Sequence, residues 1–242
     1  MDTIPAFVKR RIHQAPPDGV RVVPGSTPVI SFGDFRTARV ATLGWNPSKN
    51  EFLDRSGREL DAEARRLHTH TSLGRSLLSD RRSTPARLVL EGCNGYFQRN
   101  PYHWFNKLEH VLNRIGASYW DGSSCHLDLV QWATDPVWRD LSDIEKSTLL
   151  DSDIPFLRQQ LRKSRIKILL LNGRGIVNAV QGRLGIRLET VGKKRGHRAE
   201  FFVGQATDRL KVVGWSINLQ SSRGVSHGDI KSVANRVTSI LT

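Results

Sequence analysis

The sequence predicts an α/β fold: a three-layer α-β-α sandwich around a central, mostly parallel, four-stranded sheet. Short apolar runs alternate along the chain with segments of helical periodicity, as they do in βαβ units. Residues 166–171 (IKILLL) end in a continuous apolar run, Ile168–Leu171, which is typical of a strand buried on both faces of a parallel sheet. The 242 residues can bury a core as one domain, residues 1–242, with residues 1–38 as an N-terminal arm.

The strands are predicted from apolar runs that end at Gly, Pro or polar clusters. The Pro- and Gly-rich N-terminal arm contains one short predicted strand. Further along the chain, a basic turn connects the two strands of a predicted hairpin. The predicted strands are residues 21–23, 39–43 (RVATL), 125–132 (CHLDLVQW), 166–171, the hairpin 187–203 and residues 210–217.

The helices are predicted from apolar residues at helical spacing and from capping signals. Asn100-Pro101 is a helix start, and Gly116 ends that helix. Ser142 and Glu145 form a capping box, and Pro155 is expected to separate the helix that follows from a second one. Further helices are predicted at residues 173–184 and 230–241.

The charge predicts a polyanionic partner. Lys and Arg number 37 and Asp and Glu 23, which gives a net charge of +14. Nucleic acid is the commonest partner of so basic a domain, and the alternative is a basic surface that only faces solvent. The longest apolar run is far too short to span a bilayer, and the N-terminus lacks the features of a signal peptide. We therefore expect a cytoplasmic protein without membrane contact.

The cysteines and histidines predict no metal site. Cys93 and Cys125 lie far apart in the sequence and form no C-x-x-C motif, so they do not support a disulfide framework, a cysteine-rich zinc site or a cysteine-ligated iron–sulfur cluster. His68 and His70 are a close pair without a nearby third ligand, and we interpret them as surface residues. We expect the protein to work without a metal or cofactor.

A ligand site is expected in the loops that follow the strands, because ligands of parallel α/β sheets bind beyond the carboxyl ends of the strands. Gly44-Trp45-Asn46-Pro47-Ser48 follows the strand at 39–43. Gly44 permits a tight exit, and Pro47 holds Asn46 in extended geometry. A fixed Asn46 amide could orient one water molecule and one substrate group. The alternative is an ordinary turn, since Asn-Pro is a common turn dipeptide.

The last predicted strand leads into a polar loop, Asn218-Leu219-Gln220-Ser221-Ser222-Arg223-Gly224. Hydroxyls, amides and one Arg suit contact with a phosphate backbone. An ordinary polar loop is the alternative. Asn172-Gly173-Arg174-Gly175, after the strand at 166–171, lacks both the dinucleotide-binding and the P-loop glycine patterns.

These two loops resemble the motifs of the uracil-DNA glycosylase superfamily. Residues 44–48 resemble the G-x-N-P-G motif of its mismatch-specific and single-strand-selective branches. Residues 218–222 stand where the superfamily has H-P-S, N-P-S or M-P-S, although this chain lacks the Pro. The order of elements agrees over residues 39–241. A second similarity, of residues 98–103 to the G-Q-D-P-Y-H motif, follows no strand, and we interpret it as a helix cap.

The resemblance implies a DNA repair enzyme that flips uracil out of DNA and hydrolyses its N-glycosidic bond. Asn46 would position the water, and Asn218 would donate to the departing base. Gly44, Trp45 and Pro47 would shape the base site, and Ser48, Ser221, Ser222 and Arg223 would hold the flanking phosphates. Neither motif contains a Lys, which implies a monofunctional enzyme without a Schiff base. The partner would be single- or double-stranded DNA, and we expect a monomer.

Two further positions follow from the resemblance. Asp128 stands where the superfamily has the Asn that recognises the base, and Phe52 is the nearest candidate for stacking on it, ahead of Trp45. An ion pair between Asp128 and an Arg is the structural alternative. Asp128 and the missing Pro also favour a second hypothesis, a nucleic-acid-binding protein that kept the fold and lost catalysis. A metal-dependent nuclease and a plain basic α/β protein are the remaining alternatives.

Overall fold

The computed structural model describes residues 4–75, 84–99, 102–191, 198–221 and 224–242. Contacts between Cα atoms divide the chain into two compact units. Unit 1 comprises Met1–Gly33, Trp45–Pro101 and Asp128–Arg162, and unit 2 comprises Asp34–Gly44, Tyr102–Leu127 and Lys163–Thr242. The helices are α1 Ala6–His13, α2 Ala86–Asn94, α3 Tyr96–Arg99, α4 Asn106–Arg114, α5 Asp143–Lys163, α6 Arg174–Ala179 and α7 His227–Leu241, and the strands are β1 Val40–Gly44, β2 Ser124–Asp128, β3 Ile168–Asn172, β4 Glu189–Thr190, β5 Phe201–Thr207 and β6 Leu210–Trp215.

The sheet of unit 2 has six strands in the order β2-β1-β3-β6-β5-β4. β3 runs parallel to both of its neighbours, and its Leu171 is in register with Leu43 of β1 and with Gly214 of β6. The α/β class with a mostly parallel sheet is therefore confirmed. The expected count of four strands is wrong, because the hairpin predicted at 187–203 contributes β4 and β5, which extend the sheet beyond β6 in antiparallel pairing.

Helices cover the strands of unit 2. α6 contacts β3 and β6, and α7 contacts β6 and α4. Leu169, Leu170 and Leu171 of β3 are fully buried, as the continuous apolar run predicts. The loops that follow β3 and β6 therefore start from a rigid base.

Unit 1 holds α1, α2, α3 and almost all of α5. α1 contacts α2. Arg11 of α1 forms an ion pair of 2.6 Å with Asp153 of α5, and both side chains are at most 1% exposed. The Asp153 carboxylate also accepts a hydrogen bond from the backbone N–H of Gln131, at 2.7 Å. This buried pair therefore anchors the segment that follows β2.

The N-terminal segment differs from its prediction. It contains α1, whose inward-facing Phe7, Val8 and Ile12 are buried. The strand predicted at 21–23 is only an isolated bridge between Val22 and Thr134. An eight-residue helix shows only two turns of periodicity, which is why the pattern is weak.

α5 confirms one helix prediction and contradicts another. Ser142 and Glu145 form the predicted capping box, in which the Glu145 N–H donates to Ser142 Oγ at 3.2 Å. Pro155 does not end the helix and lies inside α5, because buried Ile154 and Leu157 hold that stretch against the core. The predicted start at Asn100-Pro101 lies outside the described residues.

α4 begins at Asn106 after a short 3₁₀ segment, His103–Phe105. Trp104, in the 3₁₀ segment, is 46% exposed, whereas Leu108 and Leu112 of α4 are fully buried. None of the helices in the described ranges has the length and hydropathy needed to cross a membrane.

Candidate functional site

The turn after β1 is tied to the segment after β2 within unit 1. The Val130 N–H donates to the Trp45 carbonyl at 2.9 Å. Ser48 forms a parallel bridge with Thr134. β2 ends at Asp128, so the strand is shorter than the predicted 125–132. The residues after Asp128 instead form the hydrogen bonds to the turn.

Asn46 is held by its amide nitrogen. Nδ2 donates to the Trp132 carbonyl and to Thr134 Oγ1, both at 3.1 Å. A carbonyl can only accept, so the amide group facing Trp132 must be the NH₂. No donor among the described residues bonds to Oδ1 of Asn46, and the side chain is only half-buried. Asn46 therefore presents a fixed hydrogen-bond acceptor.

Glu51 is a functional candidate that the sequence analysis missed. Ser48 caps the 3₁₀ turn Lys49–Glu51 by accepting from the Asn50 N–H at 3.2 Å. The turn buries Glu51, whose carboxylate accepts from the Tyr96 hydroxyl at 2.8 Å. Burial raises the pKa of Glu51 to about 7, the negative charge of Asp128 adds to the rise, and the Tyr96 hydrogen bond and Arg66 oppose it. A carboxyl that titrates near neutral pH thus lies five residues beyond Asn46.

The other predicted base contacts in unit 1 are mostly covered. Phe52 is 1% exposed, so stacking on a base would require its ring to be uncovered. The Trp45 ring stacks on Trp138, with centroids 5.3 Å apart and an angle of 18°. Asp128 is buried at the end of β2, and its carbonyl accepts from Gln131 Nε2 at 2.9 Å. The roles of Phe52, Trp45 and Asp128 in base binding remain predictions.

Whereas Asn46 is held by its amide nitrogen, Asn218 is held by its amide oxygen. It is exposed beyond the end of β6 in unit 2, and its Oδ1 accepts from Asn172 Nδ2 at 2.9 Å and from the Gln220 N–H at 3.0 Å. Within the described part of the chain, no acceptor bonds to its Nδ2. Asn218 therefore presents two fixed hydrogen-bond donors.

Asn172 is the residue that orients this loop. Its Oδ1 accepts from Trp215 Nε1 at 3.0 Å and from the Leu219 N–H at 2.9 Å, and its second amide hydrogen goes to Gln220 Oε1 at 3.0 Å. Both Nδ2 hydrogens and both lone pairs of Oδ1 thus have partners within the protein. Asn172 therefore positions Asn218 rather than a ligand.

Gly173, directly after Asn172, allows the close approach of this loop. Its φ is +102°, and a Cβ there would lie 3.2 Å from Asn218 Cβ. A side chain would therefore meet both a strained backbone and a close contact.

The serine loop is described only in part. The Ser221 carbonyl accepts from Lys107 Nζ at 2.9 Å, so a cation lies against this loop. The sequence analysis did not identify Lys107. Ser222 and Arg223 lie outside the described residues. Gly44, Asn218 and Ser221 belong to unit 2, whereas Trp45, Asn46, Pro47, Ser48, Phe52 and Asp128 belong to unit 1.

Metal ligands are not grouped in the described ranges, where no three His, Cys, Asp or Glu side chains cluster as a metal site requires. His70, interpreted from the sequence as a surface residue, is buried, and the half-buried His68 lies 3.2 Å from Ser72 Oγ. Neither the protein-family models nor the curated proteins searched contain a match to the chain.

Proposed function

We propose that the protein is a monofunctional DNA glycosylase that flips uracil, or a related damaged base, out of DNA and hydrolyses its N-glycosidic bond. One observation carries the proposal: each motif asparagine is held by one end of its amide, so that, within the described residues, the other end is free for a ligand. Asn46 presents an acceptor and Asn218 presents donors. The reaction needs one group of each kind, because a water must be oriented and a leaving anion must be stabilised.

Asn46 would act on the water. A water O–H donates to Oδ1, which turns an oxygen lone pair toward C1′ of the flipped nucleotide. The C1′–N1 bond breaks with its electron pair leaving on the base, and the sugar passes through an oxocarbenium-like state before the water oxygen bonds to C1′. The water proton passes to solvent, since a neutral amide is a weak base. Positioning is therefore the main contribution of Asn46.

Asn218 would act on the leaving base. Negative charge develops on uracil O2 as the bond breaks, and the Nδ2 hydrogens would donate to it as an oxyanion hole does. Because Asn172 and the Gln220 N–H hold Oδ1, the donors are oriented before the substrate arrives.

The net charge of +14 supports DNA as the substrate, since it supplies sequence-independent affinity for the phosphate backbone. Ser48, Ser221, Ser222 and Arg223 would hold phosphates beside the flipped nucleotide. The proposal includes the three-layer α-β-α arrangement, and it needs no metal or cofactor.

A uracil-containing oligonucleotide tests the proposal directly. The protein is incubated with the oligonucleotide in EDTA, and abasic sites are then cleaved with alkali. We expect cleavage at the uracil position, while the thymine-containing control stays intact. Tight binding without base release at any protein concentration would instead support the second hypothesis, a non-catalytic binding protein, which Asp128 and the missing Pro of the second motif favour.

A further inference from the structure

A cationic groove lies at the far end of the sheet from the Asn218 loop. It has a volume of about 710 Å³ and is formed by β4, β5, β6 and the C-terminal half of α7. Its charged residues are Arg187, Lys211, Arg236 and Glu189. Lys211 is near the start of β6 and Asn218 lies beyond its end, so the groove is separate from the candidate site in unit 2.

The cations of this groove are available to a ligand. Within the described residues, the guanidinium groups of Arg187 and Arg236 have no ion-pair or hydrogen-bond partner. The Lys211 ammonium donates to the Ile240 carbonyl at 2.6 Å, which fixes its position and leaves two hydrogens. Three cations against the single carboxylate of Glu189 leave an excess of positive charge in the groove.

The remaining lining suits a phosphate-bearing ligand. Guanidinium groups donate paired hydrogen bonds to phosphate oxygens, which makes Arg the residue best suited to them. The hydroxyls of Thr190 and Ser239 add uncharged donors of the kind that contact DNA backbones, and Val203 and Ile240 offer apolar contact to a sugar. A net positive groove of this volume can hold about one nucleotide.

We propose that this groove binds the phosphate of a nucleic-acid strand, as a site separate from the one that holds the flipped base. The proposal does not depend on base excision, because it concerns affinity for a strand without uracil. A free nucleotide carries the same phosphate chemistry and is distinguished by the experiment.

The test compares two variants of α7 that each lose one positive charge. Arg236→Gln removes a groove cation, and Lys231→Gln removes an exposed cation outside the groove. The affinity for a short thymidine oligonucleotide is measured at several salt concentrations. We expect Arg236→Gln to weaken binding roughly three- to tenfold at moderate salt and to reduce the slope of log K against log salt by about 0.7, as expected for one lost single-strand phosphate contact. Lys231→Gln should change the affinity less than about twofold.

A second arm identifies the source of the phosphate. Thymidine monophosphate is titrated against the wild type and Arg236→Gln. A strand site gives weak, non-saturating binding of the mononucleotide while Arg236→Gln still weakens oligonucleotide binding more than Lys231→Gln does. A nucleotide site gives saturable mononucleotide binding that Arg236→Gln abolishes. Either combination supports a phosphate site. Equal effects of the two variants on the oligonucleotide, together with unchanged mononucleotide binding, would overturn the proposal. Uracil release at saturating substrate should be unaffected by Arg236→Gln, so this result is separate from the fate of the proposed function.

Discussion

Replacing Asn46 by Ala tests whether the orientation of this amide matters for the reaction. The change removes Oδ1, which would align the water, and both donors of Nδ2. The Trp132 carbonyl and the Thr134 hydroxyl then lose a partner, which costs about 1–3 kcal/mol of stability. Loss of one oriented polar group that acts in the transition state lowers kcat by about 10²–10³. We expect a fall of this size in single-turnover uracil release at saturating enzyme.

Thr134→Val separates the chemical role of Asn46 from its structural role. It removes one of the two acceptors of Asn46 Nδ2. Oδ1 stays in place, because Nδ2 still donates to the Trp132 carbonyl. The loss of stability should be about 1 kcal/mol, at the low end of the range for Asn46→Ala, because a buried hydroxyl is replaced by a methyl group of similar shape. The rate should fall only a few-fold, by roughly 1 kcal/mol in the barrier.

Asn50→Ala is the matched control, since Asn50 is an exposed Asn in the 3₁₀ turn that follows. It should leave the rate and the stability unchanged. If Asn46→Ala releases uracil at the wild-type rate while still binding DNA, or if Thr134→Val is as slow as Asn46→Ala, the proposed role of Asn46 is wrong.

Three further predictions concern residues that support the site. The raised pKa of Glu51 means that the folded state favours its protonated form. This stabilisation is fully present below the unfolded pKa of about 4.5 and is lost as the pH rises through about 7, which lowers the free energy of unfolding by on the order of 3 kcal/mol. Urea titrations from pH 5 to pH 8 should show this fall in the wild type and not in Glu51→Gln. Arg11→Met leaves Asp153 buried without its cation and should cost about 3–5 kcal/mol in urea unfolding, and the double variant with Asp153→Asn should recover much of the loss. Gly173→Ala should lower Tm and slow uracil release together, because its methyl group would push against Asn218; a normal Tm with a normal rate would contradict this.

The central strands could be predicted from the sequence because their signal is local. The segments at 39–43 and 166–171, which are rich in apolar residues, became β1 and β3, and four of the five residues in each strand are buried. The sheet nevertheless has six strands, because a hairpin strand pairs with whichever edge lies next to it. No pattern within the hairpin itself specifies that it joins β6.

The helices that were mispredicted depend on partners far along the chain. α1 contains consecutive cations that indicate a solvated surface, yet Arg11 is buried because Asp153 of α5 lies against it. Pro155 follows the local rule for a helix breaker, and the burial of its neighbours overrides that rule. In both cases tertiary contact outweighs local preference.

In the candidate site, the sequence predicts the residue types, and tertiary contacts determine how their side chains are oriented. Asn46 and Asn218 were identified from the sequence by their motifs, but the group that each amide presents depends on the residues that hold it. Asn46 Nδ2 donates to the Trp132 carbonyl and to Thr134 Oγ1. Asn172, which is in register with Trp215, donates from Nδ2 to Asn218 Oδ1. Without these contacts each amide could turn either way. The contacts assign one asparagine to accept and the other to donate, and this division of roles, rather than the motifs alone, makes hydrolysis of a glycosidic bond the function to test first.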